Sequence, residues 1–187
     1  MTRTDPQLLS AYRGGDERAF ELLVHRHGGA IKSYALRMLH NPEQAEEVYE
    51  ETFLRVASAR GRWEERGTVR GWLFTIAHRL SLDMLRRRQV RQRAIPHLVQ
   101  MERYRVSPSP EALAELGQRA QQLEAALGRL SEEHREILLM RLVHGLSAKE
   151  AGQALGLEVD QVHSLLSYAR KRLKQELVVP ARRSRMS

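Results

Sequence analysis

The residues best placed to do chemistry lie between Leu146 and Leu173. Ser147-Ala148-Lys149-Glu150 has the spacing of a capping box, in which the Ser and Glu side chains satisfy the free amides at a helix start. Gly156 suits the left-handed position that ends a short helix. Small Ala151 allows a close crossing, and Val162, either Leu165 or Leu166, and Ala169 would hold a second, longer helix against the first. This spacing is the signature of a helix-turn-helix, whose second helix enters the major groove of DNA. A plain helical hairpin would carry the same caps and is the competing reading. Basic runs at Arg86-Arg87-Arg88 and Arg170-Lys171-Arg172 add cations suited to phosphates. Arg182, Arg183 and Arg185 lack apolar anchors and read as a solvated basic tail.

Other chemistries find no footing. No motif brings a nucleophile, a base and an orienting group together, so the chain does not read as an enzyme and no cofactor is expected. It has no cysteine, which removes thiolate metal sites and disulfides. His25 and His27 point to different sides of a helix, and His78, His134, His144 and His163 stand alone, so no metal site is expected. No apolar run approaches the ~18 residues of a membrane span, and Met1 to Ser10 lacks the halves of a signal peptide. These features predict a soluble, cytoplasmic protein without membrane insertion. The net charge is +8, from 31 Lys and Arg against 23 Asp and Glu in 187 residues. The excess is shared by the two ends of the chain, which suits a polyanionic partner.

The elements that must position these residues are helical throughout. Asp16 reads as the cap of a helix with Ala19, Phe20, Leu23 and Val24 inside, continued by Ile31, Tyr34, Ala35 and Met38. Two glycines in a helix cost ~2 kcal/mol, so Gly28-Gly29 predicts a kink or break. Asn41, Pro42 and Gln44 start another helix, which runs to about Ala59 and offers Val48, Thr52, Phe53, Leu54 and Val56 for packing. A polar loop with Trp63 follows. The next helix, from near Thr68, puts Trp72, Leu73, Ile76, Ala77, Leu80 and Met84 on one face and ends in the three arginines. Trp72 reads as core. Pro96 and Ser107-Pro108-Ser109-Pro110 then interrupt periodicity as a linker would. Helices over Leu116–Leu130, Glu132–Val143, the capped third and Val159–Leu177 complete an all-α fold of two small helical domains joined by a flexible linker.

Three ordered blocks carry a family resemblance. Ala45-Glu46-Glu47-Val48-Tyr49-Glu50-Glu51-Thr52-Phe53-Leu54-Arg55-Val56 is similar to A-E-D-L-V-Q-E-T-F-L-R-V. Arg66-Gly67-Thr68-Val69-Arg70-Gly71-Trp72-Leu73, continuing through Ile76-Ala77-His78-Arg79-Leu80 to Arg86-Arg87-Arg88, resembles R-G-S-F-R-A-W-L through R-R-R. The third block is Leu130 to Leu173. These motifs are those of the extracytoplasmic-function sigma factors, the compact two-domain members of the bacterial sigma-70 family. The resemblance covers about residues 5–178. It implies a region 2-like domain over 5–90, a linker over 91–114, a region 4-like helix-turn-helix domain over 115–178 and a tail over 179–187.

The resemblance also implies roles. Such a protein directs core RNA polymerase to promoters, helps open the −10 region, and is held by an anti-sigma factor. Glu47, Glu50, Glu51 and Arg55 would face the β′ clamp helices, with Phe53 and Leu54 packing in or against the domain. Trp63, Arg66, Arg70, His78, Arg79, Arg86, Arg87 and Arg88 would serve the −10 element. Lys149, Gln161, His163, Ser164, Ser167, Tyr168, Arg170, Lys171 and Arg172 would serve the −35 element, with the β flap beside that domain. Several positions depart from the pattern. Glu47 and Glu50 stand for Asp and Gln, Arg79 for Asn, and Val69 for an aromatic. His163, Leu165 and Tyr168 replace basic residues, and Glu158 and Asp160 add negative charge. The recognition helix is thus poorer in phosphate contacts than the pattern, and each lost contact weakens binding. The competing function is a sigma-like mimic or adaptor that occupies polymerase or an anti-sigma factor without reading promoters.

Overall fold

In the computed structural model of this chain, residues 3–59, 67–94 and 117–178 are described. They contain helices and no strand: α1 (Asp5–Arg13), α2 (Glu17–Leu39), α3 (Pro42–Ser58), α4 (Val69–Ala94), α5 (Gln118–Arg129), α6 (Glu132–Leu138), α7 (Ala148–Leu155) and α8 (Val159–Val178). Trp63 and Arg66, most of the proline-bearing linker and the basic tail lie outside the described residues.

The helix starts follow local chemistry with two corrections. Asn41 accepts a hydrogen bond from the Gln44 amide at 2.9 Å, with Pro42 in the first turn of α3. Asp16 makes no side-chain cap for α2; its carboxylate pairs with Arg3 at 2.7 Å. The break expected at Gly28-Gly29 is absent, and α2 runs unbroken through both glycines. The reason lies across the helix pair. A Cβ on Gly28 would sit 2.9 Å from Cε2 of Tyr49, so the missing side chain admits a ring from α3. Close packing offsets the lost helix propensity.

The N-terminal half closes around Leu23, Ile31, Tyr34, Met38, Val48, Val56, Leu73 and Phe74, all fully buried. On α4 the buried row is Leu73, Phe74, Ala77, Leu80 and Ser81, whereas Trp72, Ile76 and Met84 are half-buried. The helix also continues to Ala94, past the three arginines in which it was expected to end.

In the C-terminal half, Ser131 caps α6 and Ser147 forms both halves of its box with Glu150. The α6 helix ends in a π-helical turn, Leu139–Val143, where a continuous α-helix was expected. Gly145 (φ +63°) then turns the chain into α7. Val162, Leu166 and Ala169 are the buried row of α8, which resolves the Leu165 or Leu166 alternative. A Cβ on Gly152 would stand 2.5 Å from the Leu157 carbonyl oxygen, so the α7–α8 turn closes only over glycine there.

Candidate nucleic-acid interface

Three surfaces carry the residues singled out from sequence. The first is the outer face of α3. Glu47, Glu50, Leu54 and Arg55 are exposed and Glu51 is half-buried, while Ala45, Val48, Thr52, Phe53 and Val56 point inward. The spacing 47, 50, 51, 54, 55 makes one helical stripe. Leu54 is 60% exposed, an apolar centre among charges, and Glu51 accepts from Arg55 at 2.7 Å within the stripe. Phe53 is buried, meeting Phe20 at 6.4 Å and Tyr49 at 5.3 Å, so it supports the stripe from beneath.

The second surface is α4 with the residues just before it. Arg79, Arg86 and Arg87 are exposed, and Arg88 is half-buried. Arg86 lies 3.6 Å from Asp83 one turn away, a surface pair of little energetic weight. Two expected contacts are corrected. His78 is only 6% exposed, and its Nδ1 shares a 3.1 Å hydrogen bond with the Tyr34 hydroxyl. Burial, together with Arg79 and Arg86, lowers its pKa to about 4, so it is a neutral core residue rather than a DNA contact. Arg70 is turned away from solvent: its guanidinium donates to the His144 carbonyl and lies 6.0 Å from the Phe74 ring.

The third surface is the outer side of α8, with Lys149 at the start of α7. Lys149, Gln161, His163, Ser164, Ser167, Tyr168, Arg170, Lys171 and Arg172 are all exposed. Gln161 accepts from the Glu158 amide at 2.9 Å, which caps α8. The Tyr168 ring lies 5.1 Å from that of His134 on α6, and Arg172 donates to Gln175 at 3.1 Å. The cations gather toward the C-terminal part of the helix, where they also complement its dipole.

Sequence reasoning missed the contact between the halves. Thr68 donates to Glu150 at 2.7 Å and accepts from the Gly71 amide at 3.0 Å, capping α4 while tying it to α7. The Gln153 side chain occupies the space that Cβ atoms on Gly67 and Gly71 would need; at Gly71 the gap would be 2.7 Å. Arg37 pairs with Glu124, and Gln89 donates to Glu132 at 3.4 Å. Arg135 reaches the Met38 carbonyl at 3.4 Å and His40 Nε2 at 3.0 Å, so it caps the end of α2. The His144 ring packs 5.4 Å from Phe74 and 6.0 Å from Tyr34. Burial and nearby arginines lower the pKa of His40 and His144 to about 4, leaving both neutral. Burial, reinforced by Glu132, raises Glu136 to about 7. Glu150 moves the other way: burial pushes it up, but hydrogen bonds from Ser147 and Thr68 hold it below the ordinary value. The one legible trace in sequence was the glycine pair at i and i+4.

Comparison with known proteins fits this geometry. The family model for Sigma-70 region 2 matches residues 23–91, and that for Sigma-70, region 4 matches residues 120–173. The extracytoplasmic-function RNA polymerase sigma factor SigE of Mycolicibacterium smegmatis is 33% identical over 168 residues, covering 87% of this chain. The chain spans 64% of the length of that relative. The RNA polymerase sigma factor CnrH of Cupriavidus metallidurans is 30% identical over 176 residues, 90% of this chain and 92% of CnrH. The solved structure of CnrH in complex with the cytosolic domain of CnrY matches with a TM-score of 0.69 at 26% identity, covering 91% of this chain and 94% of that one. The fold is also that of RpoE from Bartonella quintana, solved with the anti-sigma factor NepR (TM-score 0.63, 20% identity, 86% and 98% covered). The chain belongs to the sigma-70 family of RNA polymerase sigma factors. Within that family it is of the extracytoplasmic-function type.

Proposed function

We propose that the outer stripe of α3 docks on the β′ clamp helices of core polymerase. The loop before α4 and the arginines of α4 hold the opened −10 strand, and α7 with α8 anchors the −35 region beside the β flap. The chain then performs no catalysis of its own. It supplies binding energy that offsets the few kcal/mol needed to unstack promoter bases, and the polymerase does the chemistry. It works in the cytoplasm, where its polymerase is, and among the described residues no helix is long and apolar enough to cross a membrane. Capture by an anti-sigma factor is the corresponding means of control, in line with CnrH having been solved with the cytosolic domain of CnrY.

The observation that carries this reading is the order of the two sigma-70 matches, region 2 then region 4, over one chain whose α3, α4 and α8 faces present the motif residues. A mimic that never reads promoters is less favoured, because both matched blocks are sigma regions and relatives over most of the chain are sigma factors. The test is reconstitution with core polymerase, scored by promoter-dependent transcription and by reactivity of unpaired bases near −10. Transcription with strand opening is the expected result. A stable polymerase complex that opens no genomic fragment would favour the mimic.

A further inference from the structure

The outer side of α8 carries one stripe of mixed character. Gln161, Leu165 and Tyr168, spaced i, i+4 and i+7, run beside the buried row Val162, Leu166 and Ala169. The amide oxygen of Gln161 is committed to the Glu158 amide at 2.9 Å, Leu165 is half-buried, and Tyr168 is 55% exposed. The stripe reaches a cation only one turn later, at Arg172 with Lys171 beside it. Its middle is therefore aliphatic and aromatic at two positions where the family pattern has basic side chains.

Tyr168 does not hang free on this face. Its ring lies 5.1 Å from the His134 ring of α6, tilted by 41°. His134 is fixed in turn: its Nδ1 lies 2.7 Å from Ser131 Oγ, and its amide donates to the same oxygen at 3.4 Å. A second tie sets the rotation of α8. Arg129 bonds both the carboxylate of Glu176 (2.7 Å) and the Glu176 backbone carbonyl (2.8 Å). An exposed tyrosine ordinarily loses rotamer freedom when a partner docks, whereas here that freedom is already lost in the folded chain.

A held ring and an isobutyl group offer apolar contact and one hydroxyl. They lack the forked donors with which arginine reads O6 and N7 of guanine. In the major groove the apolar feature of a base edge is the 5-methyl group of thymine. We propose that Tyr168, with Leu165 beside it, reads thymine methyl groups in the −35 duplex, and that His134 is the positioning residue that holds the Tyr168 ring for that contact. Lys171 and Arg172 then supply phosphate contacts that carry no sequence information. The inference rests on the −35 role given above to α8. It adds which base is read, by what feature, and a residue outside the recognition helix that sets the reading.

The test uses the full chain with core polymerase and a duplex library randomised around −35. The tightest-bound duplex is remade with deoxyuridine for thymidine one position at a time, which removes a methyl group and leaves the base pair intact. We expect an enriched thymine whose replacement weakens binding about fourfold, the worth of one buried methyl group. Tyr168→Arg should move the preference at that base pair to guanine and steepen the salt dependence of binding by about one unit. His134→Ala should bring the thymidine-to-deoxyuridine affinity ratio close to one, and His134→Phe, which can still pack on the tyrosine, should restore it. The melting temperature is followed in parallel, because a merely structural role for His134 would lower it and weaken both duplexes equally. Equal binding of the two duplexes by the native chain overturns the methyl reading. An unchanged ratio in His134→Ala overturns the positioning role. If no sequence is enriched around −35 while opening at −10 is retained, the −35 assignment itself fails, and this inference with it.

Discussion

Two long helices carry most of the proposed DNA contacts, and they are held in different ways. The α4 helix sits between other elements: Phe74 and Leu73 are fully buried, His78 is drawn inside by Tyr34, and α7 closes over its first turn. The α8 helix keeps only a narrow buried row, Val162, Leu166 and Ala169, and leaves its motif side in water. The difference separates two designs. The α4 helix is anchored by large aromatic side chains and has its first turn covered by another part of the chain. The α8 helix is anchored lightly and is open, but its open side is less cationic than the family pattern.

The largest expected effect attacks that anchoring. Phe74→Ala removes a fully buried ring that touches Tyr34 (5.5 Å) and His144 (5.4 Å). It should cost about 3–5 kcal/mol in urea unfolding, whereas Leu166→Ala should cost about 2–4. Equal costs would erase the contrast between the helices. Gly152→Leu comes next, because its Cβ would press on the Leu157 carbonyl, a backbone atom that cannot swing aside. Loss of −35 footprinting with polymerase capture retained is the expected outcome; a normal footprint would show that the α7–α8 turn tolerates a side chain.

Charge gives the next test. Arg86→Glu with Arg87→Glu should abolish opening at −10 while polymerase binding survives, since both groups are exposed on α4 and remote from the α3 stripe. Equal loss of both activities would argue against the division of labour between α3 and α4. On α3, Leu54→Ala should leave the melting temperature nearly unchanged, because the side chain is 60% exposed, yet weaken polymerase capture about tenfold. Unaltered capture would remove the stripe from the interface.

A smaller effect should follow pH. His40 and His144, held near 4 by burial and by Arg135, Arg88, Arg37 and Arg70, resist protonation in the docked form. Their contribution is complete above about 6.5 and is lost as pH falls toward 4. Glu136, raised to about 7 by burial and Glu132, acts oppositely: its contribution is complete below about 4.5 and lost as pH rises through 7. The halves should hold together best near pH 6.5 and separate most readily on acidification, as read by a fluorescence distance between labels on α4 and α7. A distance constant from pH 4 to 8 would place these groups outside the contact.

Much of the fold was legible because it is local. Caps at Asn41, Ser131 and Ser147, the left-handed Gly156 and the 3.6-residue apolar stripes depend on neighbours within a turn or two. The family resemblance added the roles of the blocks, but not which side of each helix is free. Gly28-Gly29 reads as a break by propensity, and only the Tyr49 ring across the helix pair makes it a packing site. The basic and aromatic residues near α4 looked alike as DNA contacts, and burial alone separated His78 from Arg79.

The sequence by itself determined most of the helices, the caps at Asn41, Ser131 and Ser147, the helix-turn-helix and the membership of the chain in its family, because short-range periodicity and capping encode them; α1, the unbroken α2 and the far end of α4 were not read from it. Only the tertiary structure decided that α7 closes on the start of α4. That contact joins residues some eighty positions apart, Thr68 with Glu150 and Gly71 with Gln153, through one hydrogen bond and one empty Cβ space. Apart from the spacing of Gly67 and Gly71, neither leaves a mark in the chain.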